Sequence, residues 1–530
     1  MNTSDGELPP AALQVLIARL SGIAEEVGAV LRRAAFSPNI KERADASAAV
    51  FDRDGALLAQ AEHIPVHLGS MPASVAAVIE VLGDSLAPGE QAIVNDPFAG
   101  GTHLNDVTLV APCHVDGRLV GWVANRAHHA DVGGAAPGSL PADATDIAQE
   151  GLRLPPVRLT DEVRTLLLAA SRTPWERAGD LDAQVGANVV GRERLAAMAG
   201  EPFDQVLAYG ERRCRAALAA MATGEWSATD VLDSVGPRPS QQAPATLRCT
   251  VRLTGEHITF DFTGTDPQRW GNTNAVEAVT ASCVAYVLRS VVDPSLPSNA
   301  GTMRPVTIVV PPGSIVGARP PTAVGAGNVE VSQRVVDVAM RALAGAAPDR
   351  VPAASQGTMN NLLIGAAGGS PGSGRPWVYY ETVAGGQGGR PPDPAAPERG
   401  PVPGVSGVHT GMTNTLNTPV EALERSYGLR VRALRLRRGS GGDGAAPGGD
   451  GVERDVEVLE PATASLITER RRSQPWGLSG GEPGASGENW LLPGGDESQA
   501  VELGDKVTVE LTAGDVIRMR TPGGGGWGRR

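Results

Sequence analysis

The chain has 530 residues, which is enough for two or three domains or for one large domain with subdomains. Its formal net charge of -13 argues against nucleic acid, and against an anionic membrane surface, as a partner. Because Gly and Pro number 67 and 42 while aromatic residues make up 4%, the composition favours turns and close backbone approaches over a helical bundle.

Lysine and cysteine usage narrow the chemistry further. The sequence has two lysines, Lys41 and Lys506, and no GxxxxGK[ST] motif, so neither a phosphate loop nor a Schiff-base lysine is expected. If the reaction needs ATP, another chain is expected to bind it. The four cysteines are scattered without a CxxC pair, which suits a reduced, cytoplasmic location. The N-terminus is acidic and no apolar run approaches about 18 residues, so neither a signal peptide nor a membrane span is expected.

Apolar spacing and turn signals predict four elements before residue 100. They are a helix over 9–35, a hairpin over 47–61 with Asp54-Gly55 in its turn, a helix over 73–82 and a short strand over 89–95. His63 and His67 lie between the hairpin and the second helix, and Pro65 prevents a regular helical pair. We therefore interpret them as part of a structural or substrate-facing loop, in preference to a second metal site.

The strongest chemical signal surrounds a second predicted β-hairpin. Asp116-Gly117 lies between two apolar runs, which predicts that these residues form the hairpin turn. In that register His128 lies opposite Asn105 and His129 lies opposite Leu104. The two histidine-bearing ends of the hairpin therefore meet, and directly opposed side chains about 5 Å apart at Cβ are close enough to share one ion.

Strand alternation in this register places His103 on the face of His128 and Asp106 on the face of His129. A site formed by His103, Asp106 and His128 therefore needs a break in the regular strand, which the Gly100-Gly101 pair could supply. Two imidazoles and a carboxylate with open positions suit Mn, Fe or Zn in hydrolytic or Lewis-acid chemistry. The alternative is that these side chains are polar loop or turn residues without a ligand.

Further elements are predicted along the rest of the chain. They are helices over 163–172, 179–223 and 275–292, a hairpin over 246–262, strands over 305–310, 377–381, 430–438, 501–511 and 516–520, a helix start at 417–419, and Gly-rich loops over 439–451 and 475–495. This order predicts a mixed α+β fold with several antiparallel hairpins. Three regions are expected within one unit: a metal-site region over 1–155, a helical segment over 156–240 and a mixed α/β region with Gly-rich loops over 241–530.

Glycine and polar residues give candidates for substrate binding. The glycines over 385–389 would let a ligand or another backbone approach closely. Gly325 and Gly327 precede a helix whose N–H groups could bind an anion, or could form a tight turn and a capped helix. The polar residues over 409–417 could line a pocket for a heterocyclic amide or form a hydrogen-bonded turn network. The candidate substrate contacts are His67, Gly386, Gly388, Thr413 and Asn414.

Seven segments together resemble the B-type component of the hydantoinase/5-oxoprolinase family, and the likeness extends over roughly residues 10–528. The segments are FSPNIKERADASAAVFDRDGALLAQAEHIPVHLGSM, NDPFAGGTHLNDV, NRAHHADVGG, VPAASQGTMNN, YYETVAGGQGGRP, MTNTLNTPVEALE and PGGGGWG. Two positions depart from the family pattern as we understand it. Leu416 stands where an arginine is expected, and Gly411 stands where a histidine is expected. Both departures lie in the polar region, so the substrate is expected to differ from the commonest ones.

The resemblance implies an ATP-dependent hydrolase of cyclic amides that works as a hetero-oligomer. A hydantoinase A-type partner, similar to ATP-binding kinases, is expected to phosphorylate the lactam, and this chain is expected to open the ring with water. The family's metal ligands carry over onto His103, Asp106 and His128, with a divalent Mn, Zn or Fe ion expected between them. His129 and Asp131 are the expected catalytic residues, which would orient a ligand or move a proton.

Two other functions remain open at this level. The chain could be a subunit of an ATP-dependent ketone carboxylase, because related assemblies carboxylate acetone or acetophenone and hold a metal in the similar chain. It could also be a non-catalytic scaffold subunit in which the ion is structural.

Overall fold

The computed structural model describes residues 7–62, 64–368 and 374–530, and His63 lies outside them. The described residues form the predicted mixed α+β fold, in which helices pack against four sheets. Their α-helices are α1 (Pro10–Ala34), α2 (Pro38–Lys41), α3 (Ser70–Leu82), α4 (Asp161–Ala170), α5 (Pro174–Ala196), α6 (Phe203–Ala219), α7 (Glu277–Val287), α8 (Ala300–Met303), α9 (Ser332–Leu343) and α10 (Val420–Ser426).

The first two sheets use the strands of the N-terminal half. The strands of the first sheet are β1 (Ala46–Asp52), β2 (Leu57–Glu62), β3 (Ala92–Val94), β4 (Asp106–Val115), β5 (Arg118–His128) and β6 (Val157–Arg158). Those of the second are β7 (Gly224–Leu232), β8 (Ala245–Thr254), β9 (His257–Asp261) and β10 (Val306–Val309). The strand orders are β2-β1-β5-β4-β3-β6 and β10-β9-β8-β7, and β9 and β10 pair in parallel. The predicted hairpins over 47–61 and 246–262 are confirmed.

The C-terminal half contributes two more sheets. Its strands are β11 (Asn361–Ala366), β12 (Trp377–Thr382), β13 (Leu429–Arg437), β14 (Gly451–Val458), β15 (Ala462–Ile467), β16 (Glu488–Leu492), β17 (Val501–Leu503), β18 (Lys506–Leu511) and β19 (Val516–Arg520). One sheet has the order β12-β11-β15-β18 and the other β13-β14-β19-β16-β17. Strand β16 lies inside the segment predicted as a Gly-rich loop. The predicted boundaries of the three regions are not tested by these features and stay a prediction.

The hairpin of β4 and β5 turns where predicted but has a different register at its open end. Asp116 and Gly117 both have positive φ, as a two-residue hairpin turn requires. A β-bulge then makes Val120 an extra residue, so that Cys113 pairs with Gly121 and the register shifts by one. His128 consequently lies opposite Asp106, and the predicted pairing of His128 with Asn105 is wrong.

Helices α1 and α5 cover one face of the first sheet and fix the hairpin. Apolar residues of both helices pack with β1 and β5 in a core cluster that includes Leu20, Val27 and Ala187. A polar residue of α5 also binds the backbone of β4, since Gln184 donates to the carbonyl of Val107 at 2.9 Å. Asn125 on β5 donates to the carbonyl of Gln184 at 2.8 Å. The open end of the hairpin is therefore rigidly held.

One apolar stretch differs from what the sequence predicted. In the described part of the chain, Pro65–Leu82 is long and apolar enough to cross a membrane by length and composition, so the expectation that no run approaches that length is wrong. The stretch is weak support for a membrane segment, because buried core helices pass the same test and 44% of it is buried. Helix α3, which forms most of it, has 13 residues and a length of about 20 Å, shorter than the bilayer core of about 30 Å.

The Gly-rich segments are packed backbone against backbone. Gly524 donates to the carbonyl of Gly449 at 2.9 Å, and Gly389 donates to the carbonyl of Gly525 at 2.9 Å. A Cβ added at Gly386 would lie 2.0 Å from the oxygen of Gly449. Glycine is therefore needed because these segments approach more closely than side chains allow, which is one of the two interpretations that the sequence left open.

A buried network of charged groups links strand β18 to helix α9. Lys506 on β18 binds Glu469 at 2.7 Å and Asp505 at 3.0 Å. Glu469 also contacts Arg334 of α9 at 3.4 Å. Since these side chains are buried, the removal of one partner would leave an uncompensated charge.

Candidate metal centre and adjoining pocket

The structure brings the three predicted metal ligands together at the open end of the β4–β5 hairpin. His103, Asp106 and His128 each offer one ligand atom, and these atoms lie within 4.8 Å of one another. The bulge places Asp106 and His128 on the same face by pairing them directly. His103 lies in a turn just before β4, closed by a hydrogen bond from the N–H of Asp106 to the carbonyl of His103. The expected break in the strand is therefore present.

The polar atoms of this cluster fit a cation. Nε2 of His103, Nε2 of His128 and Oδ1 of Asp106 are buried and have no hydrogen-bond partner among the described residues. Buried polar atoms are nearly always satisfied, so three orphaned atoms in one cluster call for a ligand. Asn328 lies 3.0 Å from Nδ1 of His103, and Tyr380 stacks on His128 with ring centroids 4.5 Å apart. These neighbours fix both imidazoles, as outer groups do around metal ligands.

His67 joins the same cluster. Its Nε2 lies 3.4 Å from Oδ2 of Asp106, and its Nδ1 lies 2.9 Å from the hydroxyl of Ser47. The hydroxyl of Thr102 donates to the same carboxylate oxygen. The sequence predicted a structural or substrate-facing loop for His67, and in the structure this imidazole is 1% exposed and contacts the candidate metal ligand Asp106.

The electrostatics keep the carboxylate of Asp106 charged and the imidazoles of His128 and His67 neutral. Burial raises the pKa of Asp106, but His103 and His67 outweigh it and hold the pKa well below the usual range. Burial lowers the pKa of His128 to about 3 and also lowers that of His67. These are the protonation states in which carboxylate and imidazole bind a divalent metal.

A cavity of about 20 Å³, here called the inner cavity, adjoins the cluster. It has room for a single water molecule. Its polar lining is Asp45, His67, Asp106, His128, Asn328, Thr382, Thr413 and Thr415. Burial raises the pKa of Asp45 to about 7 even though Arg43 opposes the shift. Asp45 was missed in the sequence because no spacing relates it to the histidines, and only the pairing of β1 with β5 brings it beside His128.

A larger cavity of about 370 Å³, here called the outer pocket, begins at Thr413, which also lines the inner cavity. Its size suits a small molecule. The predicted substrate residues Gly388, Thr413 and Asn414 line it. Gly411 lines it as well, with a φ of +67°, and a Cβ there would lie 2.2 Å from Oε1 of Gln333. Leu416 is exposed and lies outside this lining.

The structure does not bring His129 and Asp131 to the cluster. His129 Nε2 lies 2.8 Å from the side-chain oxygen of Gln184, on the opposite face of the strand from His128. Asp131 accepts hydrogen bonds from backbone N–H groups of its own loop and binds Arg172 at 3.0 Å. Both residues therefore organise the loop that follows β5, and their predicted catalytic roles remain predictions.

The glycines proposed for anion or substrate binding have their N–H groups occupied. Gly386 donates to the carbonyl of Pro522 at 3.0 Å, and Gly388 donates to the hydroxyl of Ser355 at 3.2 Å. At Gly325 the N–H is taken by the protein's own carboxyl group, because Glu150 accepts from it at 2.8 Å. Of these positions, only Gly388 lines the outer pocket, within the described residues.

Residues 9–530 match the family model described as hydantoinase B/oxoprolinase. The chain belongs to this family. An uncharacterised protein of Methanocaldococcus jannaschii is 38% identical, over 97% of this chain and 90% of that protein. The Arabidopsis thaliana 5-oxoprolinase 1 is 35% identical, over 97% of this chain and 41% of that protein. The chain therefore spans about two fifths of the length of this 5-oxoprolinase.

A Pseudomonas protein named as one component of a D-/L-hydantoinase is 28% identical, over 100% of this chain and 91% of that protein. Among solved structures, the ATP-dependent caprolactamase from Pseudomonas jessenii superposes with a TM-score of 0.87 at 24% identity, over 99% of this chain and 92% of that one. An acetone carboxylase, in a structure titled for ATP-dependent acetone carboxylation, gives a TM-score of 0.87 at 18% identity, over 98% and 76%. At these identities the two structures show a shared fold alone.

Proposed function

We propose that this chain is the hydantoinase B-type component of an ATP-dependent hydrolase of cyclic amides, in which His103, Asp106 and His128 hold a divalent metal. The observation that carries the proposal is the convergence of these three side chains with their orphaned buried atoms beside a water-sized cavity. When bound, a Mn, Zn or Fe ion would supply Lewis acidity and lower the pKa of water toward about 7.

The side chains around the cluster each have a physical task in this proposal. Asp106 supplies the negative charge that a divalent ion needs, and the neutral imidazoles supply nitrogen lone pairs. Asn328 and Tyr380 hold the imidazole rings in place. Asp45 and His67 give the inner cavity polar walls that can orient a water and exchange a proton with it. His129 and Asp131 act as positioning residues, since they fix the loop after His128.

The outer pocket is the proposed substrate site. It shares Thr413 with the inner cavity, so in this proposal a ring bound there would present its amide carbon toward a water in that cavity. Thr413, Asn414 and Gly388 are the proposed substrate contacts, with His67 at the inner end. Gly386 contributes only by packing the adjoining backbone.

We infer that activation of the amide takes place on a partner. Amide resonance resists attack by water, and phosphorylation of the lactam oxygen would remove that resonance and create a leaving group. The sequence of this chain contains no phosphate-loop motif. The match covers 41% of the 5-oxoprolinase relative, so more than half of that protein lies outside the part similar to this chain. A hydantoinase A-type chain would therefore bind ATP in a hetero-oligomer. The four buried free thiols suit a cytoplasmic location.

A ketone carboxylase subunit is the second candidate, because the acetone carboxylase shares the fold at a TM-score of 0.87. The two functions differ in whether bicarbonate is consumed. Turnover of the complex on hydantoins, 5-oxoproline and ketones, with and without bicarbonate, separates them. ATP-dependent ring opening without bicarbonate supports the hydrolase, and product formation that requires bicarbonate supports the carboxylase.

The role of the metal is tested with His103→Ala and the matched control His257→Ala. His257 lies on β9 and bonds Thr307, away from the cluster. Metal analysis of the purified complex should give about one ion per chain for wild type and control and far less for His103→Ala. Lost activity with an unchanged melting temperature supports catalysis. A large fall in melting temperature supports a scaffold with a structural ion, and full metal content with full activity contradicts the assigned site.

A further inference from the structure

The outer pocket continues away from the inner cavity into a second cavity of about 500 Å³, here called the entrance groove. Arg390 lines both of them, together with Tyr286, Met340 and Pro352. Thr413 is shared by the inner cavity and the outer pocket, and Arg390 is shared by the outer pocket and the entrance groove. Arg390 does not line the inner cavity, which adjoins the metal ligands.

The backbone of Arg390 is fixed while its side chain is free. Its N–H donates to the carbonyl of Val402 at 3.0 Å, and the N–H of Val402 donates back at 3.0 Å. The guanidinium forms no hydrogen bond or ion pair with any residue in the described part of the chain. An arginine anchored in this way offers a planar set of donors to a ligand in the pocket.

Other unpaired groups around the outer pocket also favour a ligand rich in acceptors. The indole Nε1 of Trp476 and the hydroxyl of Thr410 are buried without a partner among the residues the structure describes. Trp476 and Arg390 can only donate. Asp337, a carboxylate in the same lining, is already bound by Arg470 at 2.7 Å. The guanidinium of Arg390 and the indole N–H of Trp476 are thus two donors in this lining without an acceptor among the described residues.

We propose that Arg390 is a specificity-determining residue, which binds an oxyanion carried by the substrate at the outer end of the pocket, assisted by the indole N–H of Trp476. This inference rests on the proposed function and adds to it the residue that recognises an anionic group on the cyclic amide. The oxyanion is either a carboxylate on the ring or the phosphoryl group added on activation. Arginine suits both, because its forked donors match carboxylate and phosphate oxygens.

The test uses the full chain and three probes: 5-oxoproline, 2-pyrrolidone and inorganic phosphate. The first two share the lactam ring and differ by one carboxylate. Isothermal titration should show that Arg390→Gln weakens the binding of an oxyanion probe at least tenfold and leaves 2-pyrrolidone unchanged. Arg390→Lys should lose less affinity for that probe, since lysine keeps the positive charge but lacks the planar, bidentate donors of the guanidinium. Arg399→Gln is the matched control, because Arg399 is exposed in the same segment and lies outside the pocket lining.

Loss of 5-oxoproline binding in Arg390→Gln assigns the site to a ring carboxylate, and loss confined to phosphate assigns it to the phosphoryl group. The proposal is overturned if no probe loses affinity in Arg390→Gln, which includes the case in which the wild-type chain binds none of them. It is also overturned if Arg399→Gln weakens binding equally. Metal content should be unchanged in all of these variants, so a failure here is distinct from a failure of the metal site, which metal analysis of His103→Ala reports.

Discussion

Gly386→Ala separates the two roles that glycine could have in the segment over 385–389. The added Cβ would lie 2.0 Å from the oxygen of Gly449 and 2.3 Å from the nitrogen of Gly524, whereas ordinary contacts begin at 3.4 Å. Neighbouring backbone must therefore move by the difference, 1.4 Å on one side and 1.1 Å on the other. No flexible side chain lies between these atoms to absorb the movement.

The expected cost follows from what that movement breaks. Overpacking by one carbon costs about 1–3 kcal/mol where side chains adjust. Here the hydrogen bonds from Gly386 to Pro522 and from Gly524 to Gly449 are also stretched, and each contributes about 0.5–1.5 kcal/mol. The free energy of unfolding should therefore fall by about 2–6 kcal/mol.

The assay is urea unfolding of the purified chain, with Gly186→Ala as the matched control. Gly186 lies in α5, and a Cβ there meets nothing within 4 Å. This control should be neutral or more stable by up to about 1 kcal/mol. If Gly386→Ala unfolds like the wild type but no longer binds or turns over substrate, the glycine serves a ligand and the packing argument is refuted.

Three further predictions concern stability, metal affinity and pH. Lys506→Met should destabilise the fold by about 3–5 kcal/mol in urea unfolding, because it removes the buried ammonium group that binds both Glu469 and Asp505. Asn328→Ala should weaken metal binding about 10–100-fold in chelator competition, because it frees the ring of a candidate ligand. Burial raises the pKa of Glu150 to about 8 from 4.5, so its stabilising contribution is full below pH 4.5 and is lost as pH rises through about 8. Glu150→Gln should therefore flatten the fall of melting temperature with pH, a fall equivalent to about 1.4 kcal/mol per pH unit.

Each of these predictions has a contrary outcome, and the first also has a matched control. Arg304→Met removes a surface ion pair with Glu211 and should cost under about 1 kcal/mol; equal losses in the two variants would contradict the burial argument for Lys506. Unchanged metal affinity in Asn328→Ala would mean that the ring is fixed by other contacts. If the melting temperature of Glu150→Gln varies with pH over 5–8 as that of the wild type does, Glu150 has the same pKa in the folded and the unfolded protein, which would contradict the prediction.

Local sequence determined the elements whose signals are short-range. The hairpin turn at Asp116-Gly117 is encoded by two residues that accept positive φ, and the structure has it there. Helix α1 was predicted over 9–35 and spans Pro10–Ala34, because its apolar periodicity is long and uninterrupted. The seven family segments likewise pointed to the family, which the match over 9–530 confirms.

The geometry of the candidate site was beyond local signals. No residue type in the sequence signals the bulge at Val120. The bulge nevertheless shifts the register by one residue, and this shift places His128 opposite Asp106. His67 and Asp45 join the cluster only because a loop and the start of β1 fold onto the hairpin. Strand β16 lies in a segment whose glycines predict a loop, and it forms a strand because it pairs with β19.

The sequence by itself thus determined the family, the fold class and the residue types able to bind a divalent ion. Tertiary structure alone decided which of those residues meet, that His129 and Asp131 turn away to Gln184 and Arg172, and that the glycines contact backbone. The physical reason is range. Turns and helices depend on neighbours within a few residues, whereas a shared site depends on strand register and on packing between segments that are far apart in the chain.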